Sequence, residues 1–145
     1  FISSTFWTER IGPTAALKTL EIMERDKSWE VVTEKGDYIR KGWKNIAKKY
    51  HLNIDLVGIP ALSGFIIKNE DWLKFKTYIS QEMLKKGYLA ANSCYVSTKH
   101  TKKIIDDYLE NLDPIFKTIS ECHEDKLIDD LLETPICHDG FKRLN

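Results

Sequence analysis

The sequence predicts an α+β fold in which a small, mainly antiparallel sheet carries helices on one face. Three observations predict it. Several segments repeat apolar residues every three or four positions, the spacing of a buried helix stripe. Between them lie paired apolar runs too short for helices, and turn formers such as Pro60-Ala61 bound them. The order is two helices, a strand pair, a helix, a second strand pair and a final helix, so strands that follow one another are joined by tight turns and pair antiparallel.

Taken in order, Gly12-Pro13 opens the first helix, because proline is tolerated where the first-turn N–H has no partner anyway. Ala16, Leu20 and Met23 share a face, and the helix fades near Arg25 and Asp26. From Ser28, a longer helix lines up Val32, Gly36, Ile39, Trp43, Ile46 and Tyr50. Gly36 is its weak point, since glycine costs about 1 kcal/mol against alanine within a helix. Residues 54–59 and 62–67 form the first strand pair. Asn69 is then expected to cap a helix that buries Trp72, Phe75, Ile79 and Met83 and leaves through Lys85-Lys86-Gly87. Residues 88–91 and 94–97 are read as two further brief strands. Thr101 caps the last helix, whose stripe is Ile105, Tyr108, Leu112, Ile115 and Ile119, and Pro114 is expected to bend it.

The chain has 145 residues, of which 42% are hydrophobic, enough for one domain with its own core. Its 22 basic and 22 acidic side chains cancel and are interspersed, so no basic face for nucleic acid is expected. No apolar run approaches the roughly 20 residues that cross a bilayer, and the first residues lack a secretory leader's basic and apolar regions, so no membrane partner and a cytoplasmic setting are expected. Cys94, Cys122 and Cys137 make an odd set in a chain with ample core, which favours reduced thiols.

The opening stretch, "FISSTFWTERIGPTAAL", places Ser3, Ser4 and Thr5 before the first helix. These hydroxyls suit an anion, especially beside a helix N-terminus, and equally suit a polar turn or cap. Phe6 and Trp7 are read as packing against a core or a subunit partner. Cys94 is a buried apolar thiol, and His100 a helix-start residue rather than a base. Cys122-His123 and Cys137-His138 supply four zinc-type ligands, but neighbouring residues diverge and the pairs lack a finger spacing, so no metal site is assigned.

The opening stretch together with "GYLAANSCYVSTKHTKKIIDDYLENLDPIF", residues 87–116, resembles the C-terminal part of class III aminotransferases. These are fold-type-I, pyridoxal-phosphate-dependent enzymes, and the branch it most resembles contains glutamate-1-semialdehyde aminomutase. Ser4-Thr5 precede Thr14-Ala15-Ala16 as the family's hydroxyl pair precedes an alanine-rich helix. Gly87, Ala91, Ser93, Ser97, His100 and Thr101 resemble its "G-x-x-x-A-x-S" and "S-x-x-H-T" pattern. The likeness covers roughly residues 1–120. The loop between Ser93 and Ser97 is shortened, and Glu9-Arg10 stand where many members have Asn-Pro. Residues 133–145 briefly resemble relatives associated with cell-surface sugar pathways.

The resemblance implies pyridoxal 5'-phosphate as cofactor of the intact enzyme, with Ser4 and Thr5 reaching the cofactor phosphate held by a neighbouring subunit of a homodimer. It implies that the Schiff-base lysine lies upstream, that this fragment has no catalytic residue and is inactive alone, and that the substrate is a small-molecule amino donor or acceptor, an amino acid or amino-sugar-like compound. No arginine for a substrate carboxylate stands near Tyr95-Val96-Ser97, which favours an aminomutase-like or unusual amino-donor branch. The implied organisation is a cofactor-phosphate segment with connecting helices at 1–51, a small C-terminal α+β domain at 52–121 and an extension at 122–145. Two rivals are a non-catalytic α+β interaction module docking through the Val32 to Tyr50 stripe, and a zinc-binding tail.

Overall fold

The computed structural model describes residues 8–122, 128–138 and 140. Helix α1 spans Ile11–Asp26 and ends at Lys27, whose left-handed φ of 44° turns the chain directly into α2, Ser28–Lys49. Both helices lie where the apolar spacing predicts them. They differ in what they bury: α1 buries no residue, while α2 buries Gly36, Ile39, Trp43, Ile46 and Ala47.

Gly36, the expected weak point, is a close crossing. A Cβ there would stand 2.0 Å from the Pro60 carbonyl oxygen, so only glycine lets α2 lie on the turn below it. The α2 stripe is thus used internally: Ile39 and Trp43 at its centre are sealed in the chain's own core. This corrects the rival reading in which that stripe docks on a partner.

Strand β1, Ile54–Ile59, pairs antiparallel with β2, Leu62–Ile67, in a register that sets Ile54 opposite Ile67 and Ile59 opposite Leu62. The Ser63 hydroxyl donates to the carbonyls of Ile59 and Pro60 at 2.9 and 3.2 Å and pins the turn. Because side chains alternate along a strand, Ile54, Leu56, Phe65 and Ile67 face the helices, while Val57, Ile59, Leu62 and Ile66 face outward.

The second strand pair is corrected to a single short strand. β3, Ser93–Tyr95, pairs antiparallel with β2, and residues 88–91 form no strand. The Phe65 amide still donates to the Asn92 carbonyl at 2.9 Å, but the Asn92 side-chain amide then donates to the Phe65 carbonyl at 3.0 Å. A side chain has taken the acceptor that a continuing ladder needs. At the other end of the segment, the Tyr88 amide donates to the Met83 carbonyl at 2.9 Å and belongs to the preceding helix exit.

That helix, α3, spans Trp72–Lys85 and buries Phe75, Tyr78, Ile79 and Met83. Asp71, not Asn69, holds the cap position, and no side-chain cap bond forms there. The Asn69 Oδ1 instead accepts from the Asp71 amide at 2.8 Å, closing the turn before the helix. Helix α4, Lys102–Cys122, starts as expected, with Thr101 Oγ1 accepting from the Ile104 amide at 3.3 Å, and runs through Pro114. A 3-10 turn, Ile128–Leu131, adds buried Ile128 beside α3.

Helices α2, α3 and α4 gather over one face of the sheet around Phe65. Its ring centroid lies 5.0 Å from that of Trp43, 5.4 Å from Phe116 and 6.3 Å from Trp72, all in tilted or edge-on geometry. The predicted α+β architecture, with helices on one side of an antiparallel sheet, is the one observed.

Candidate functional site

Ser4 and Thr5, the residues expected to touch a cofactor phosphate, lie outside the described residues, as do Phe6 and Trp7. The nearest described feature is the mouth of α1. There the Glu9 carboxylate accepts from the amides of Ile11 and Gly12, the latter at 2.9 Å. An internal acid therefore fills the positive end of the helix, the place where the sequence suggested a dipole helping to hold an anion. That part of the expectation is corrected: the first amides of α1 are not free for a phosphate. Glu9 was visible only as a departure from the family pattern; its capping role was missed.

The lysines bear on whether this chain can hold pyridoxal phosphate by itself. A Schiff-base lysine needs desolvation or a nearby cation to release its proton. Among the described residues the resolved shifts run the other way: hydrogen bonds donated to carboxylates raise the proton affinity of Lys49, Lys74, Lys85, Lys102 and Lys103. Lys49 pairs with Asp113 at 2.8 Å, linking α2 to α4, and Lys74 bridges Asp71 and Asp129. These are structural pairs, so these five lysines do not fit the covalent end of the cofactor.

Cys94, Cys137 and His100 behave as packing and turn residues. Cys94 is half-buried, and burial pushes its thiol up, away from the thiolate a nucleophile needs. The Cys137 amide donates to Thr77 Oγ1 at 2.9 Å, which fastens the tail to α3. Among the described residues no three metal-ligating side chains cluster; His123 lies outside them. The His100 Nδ1 accepts from the Ser97 amide at 3.2 Å, and the His100 amide donates back to the Ser97 carbonyl at 3.1 Å, a closed turn before α4.

One cavity, of about 450 Å³, lies between α2, β3 and α4. Ile39 of α2, the segment around Tyr88 to Tyr95, His100, and Ile104, Ile105 and Tyr108 of α4 line it, and it opens to the surface. Behind it the Trp43 indole N–H donates to the Tyr108 hydroxyl at 3.0 Å. Tyr108 was read as one more apolar stripe residue. The signal that it does more is a phenol on a helix face whose other members, Ile105, Leu112, Ile115 and Ile119, have no polar atom to satisfy.

No protein-family profile matches the chain. Individual relatives do. The chain is 24% identical to a 3-aminobutyryl-CoA aminotransferase of Cloacimonas acidaminovorans over 83% of its own length and 30% of that protein's. It is 23% identical to a glutamate-1-semialdehyde 2,1-aminomutase of Hyperthermus butylicus over 82% of its length and 31% of the relative's. It is 28% identical to the aminomutase of the same name from Sulfurihydrogenibium azorense, over 75% of its length and 29% of the relative's. In structure it resembles the PLP internal aldimine form of the FumI protein of Sphingopyxis sp. MTA144, with a TM-score of 0.74, 20% identity, and coverage of 85% of this chain and 30% of that one. The resemblance to aminotransferases and aminomutases expected from the sequence is thus found. The chain spans about 30% of the length of the curated relatives it matches.

Proposed function

We propose that this chain is the C-terminal portion of a pyridoxal-phosphate-dependent aminotransferase or aminomutase, similar to glutamate-1-semialdehyde 2,1-aminomutase, acting as a cytoplasmic homodimer on a small amino donor or acceptor. One observation carries the reading: aminotransferase and aminomutase relatives align with three quarters or more of this chain but under a third of their own length. A fold likeness over 85% of the chain supports it independently of residue identity. Among the described residues no helix is long and apolar enough to cross a membrane.

In such an enzyme the cofactor supplies an electron sink for charge that develops at the amino-bearing carbon. The part given to this chain is smaller. Ser4 and Thr5 donate hydroxyl hydrogen bonds to the cofactor phosphate of the neighbouring subunit. Glu9 holds the first turn of α1. Residues 1–51 carry the phosphate contact and connecting helices, and residues 52–121 the small domain. The Schiff-base lysine belongs to the upstream portion, in keeping with the carboxylate pairing of Lys49, Lys74, Lys85, Lys102 and Lys103.

The test uses the full-length enzyme encoded by the parent gene. Replacing Thr5→Val removes a donor without changing side-chain size, and cofactor retained through gel filtration is read from its absorbance. We expect retention to fall about tenfold, the worth of one charge-assisted hydrogen bond. Unchanged retention and turnover would overturn the assignment of Thr5. A stoichiometric lysine-linked cofactor band in the 145-residue chain alone would overturn the assignment of the lysine upstream.

A further inference from the structure

Residues 128–137 lie against α3, and how they are held there does not depend on the enzymatic reading. Lys74, Thr77, Gln81 and Lys85 recur every three or four positions along one face of α3, and each grips that segment. Lys74 pairs with Asp129 at 2.6 Å, and Lys85 pairs with Glu133 at 2.6 Å. Between the two lysines Gln81 reads backbone. Its Nε2 donates to the Leu131 carbonyl at 3.0 Å, and its Oε1 accepts from the Glu133 amide at 2.8 Å. The segment then returns along the helix, where the Cys137 amide donates to Thr77 Oγ1 at 2.9 Å and the Cys137 thiol meets the Leu73 carbonyl at 3.6 Å.

Each of these α3 groups also has a partner inside α3 or its first turn. Lys74 pairs with Asp71 at 3.1 Å and Lys85 with Glu82 at 2.8 Å. Gln81 Nε2 donates to Glu82 at 2.9 Å, and Thr77 Oγ1 donates to the Leu73 carbonyl at 2.8 Å. Withdrawing the segment therefore strands no charge and no donor on α3, so the polar part of the contact opens at little cost. On the segment's side the Asp129 and Glu133 carboxylates are 49% and 64% exposed, and Ile128 is its one buried residue. The aromatic centre of the domain, Trp43, Phe65 and Phe116, is built without it. We propose that residues 128–137 are a reversible strap: they fill a peptide-docking face of α3 made by Lys74, Thr77, Gln81 and Lys85, and they leave it as a unit while the domain stays folded. The strap itself defines what the face recognises, an extended peptide with an isoleucine anchor and two carboxylates four residues apart.

Amide hydrogen exchange on the 145-residue chain reads the opening. The Glu133 and Cys137 amides should exchange well ahead of the Ile79 and Met83 amides in the buried part of α3. Raising salt from about 0.05 M to about 1 M screens the two exposed ion pairs and should speed the strap amides about fivefold or more, leaving Ile79 and Met83 unchanged. A second measurement tests the docking face. In the full chain carrying Asp129→Lys and Glu133→Lys the strap is released, and a synthetic peptide of residues 128–137 in the natural sequence is titrated in. A strap that closes against a tethered effective concentration in the millimolar range requires the free peptide to bind with a Kd at or below about 1 mM. Binding should shift the NMR signals of the Thr77 amide and the Gln81 side-chain amide, and the peptide carrying the same two lysine substitutions should not.

The proposal is overturned if the Glu133 and Cys137 amides are as protected as Ile79, if salt leaves their exchange unchanged, if the natural peptide fails to bind the released chain, or if the lysine-substituted peptide binds equally well. Should the doubly substituted chain fail to fold, exchange in the unaltered chain decides alone. Fast, salt-accelerated exchange confined to the strap then supports the proposal, and exchange that rises together in the strap and at Ile79 refutes it.

Discussion

Helices α1 and α2 follow one another across a single residue, Lys27, and both carry apolar residues at helical spacing, yet they end in opposite surroundings. In α2 the stripe meets the sheet and α4, and Trp43 is 0% exposed. In α1 the apolar residues meet little: Ile11 is 79% exposed, Leu17 70% and Leu20 61%. What separates them is the surface opposite. α2 crosses the β1–β2 turn at Gly36 and is held by tertiary contacts, whereas α1, at 16 residues, is close to the length at which an isolated helix is only marginal in water. Apolar periodicity reports that a helix has a face to bury, not whether the same chain supplies the cover. Under the proposed function, the cover for α1 is the portion of the enzyme outside this chain.

The sharpest way to break this contrast is to make the same kind of change in both helices. Trp43→Ala should destabilise the chain by about 3–5 kcal/mol in urea denaturation, through the cavity it leaves and the lost bond to Tyr108. Leu20→Ala in α1 should stay within about 0.5 kcal/mol. Equal effects would contradict the division. One glycine from each helix comes next. Gly36→Ala drives a methyl against the Pro60 backbone and should cost about 1–3 kcal/mol in thermal melts. Gly12→Ala, with only an ordinary contact to Glu9 at 3.5 Å, should be neutral or stabilise by up to about 0.5 kcal/mol.

The smallest effect is electrostatic. Burial works against ionisation of Asp113, but hydrogen bonds from Lys49 and Tyr50 outweigh it and hold the carboxyl below the usual aspartate range. With the folded value depressed, its stabilisation is fully present above the unfolded value of about 3.9 and is lost as pH falls through the folded value. Asp113→Asn should therefore flatten the loss of stability below about pH 4, by under about 1 kcal/mol because Lys49 is solvent-screened. In α1, Asp26 is also held low, first by its hydrogen bond from Arg25, but the two are sequence neighbours on an exposed helix. Asp26→Asn should leave the acid profile unchanged.

Most of the fold was legible because it is set locally. The strand pair at Ile54–Ile59 and Leu62–Ile67 is marked by its turn residues, and the stripes of α2, α3 and α4 by spacing. What was not legible depends on long-range partners. Residues 88–91 have strand-like composition, but Asn92 closes the ladder with its own amide, a contact invisible without the β2 register. Asn69 and Asp71 are both plausible caps, and only the path of the turn decides between them. The site was less legible still. Ser4 and Thr5 came from resemblance, the role of Glu9 depends on where the α1 amides point, and the Tyr108 cavity requires three elements to converge.

The central claim is that the segment from α2 through α4 stands on its own while α1 needs cover from elsewhere. Amide hydrogen exchange on the 145-residue chain tests it most directly. The α2 and α4 amides should exchange only through global unfolding, and those of α1 with protection near zero, rising when the chain is part of the full-length enzyme. Protection of α1 equal to that of α2 in the isolated chain, or no gain in the longer protein, would contradict the account.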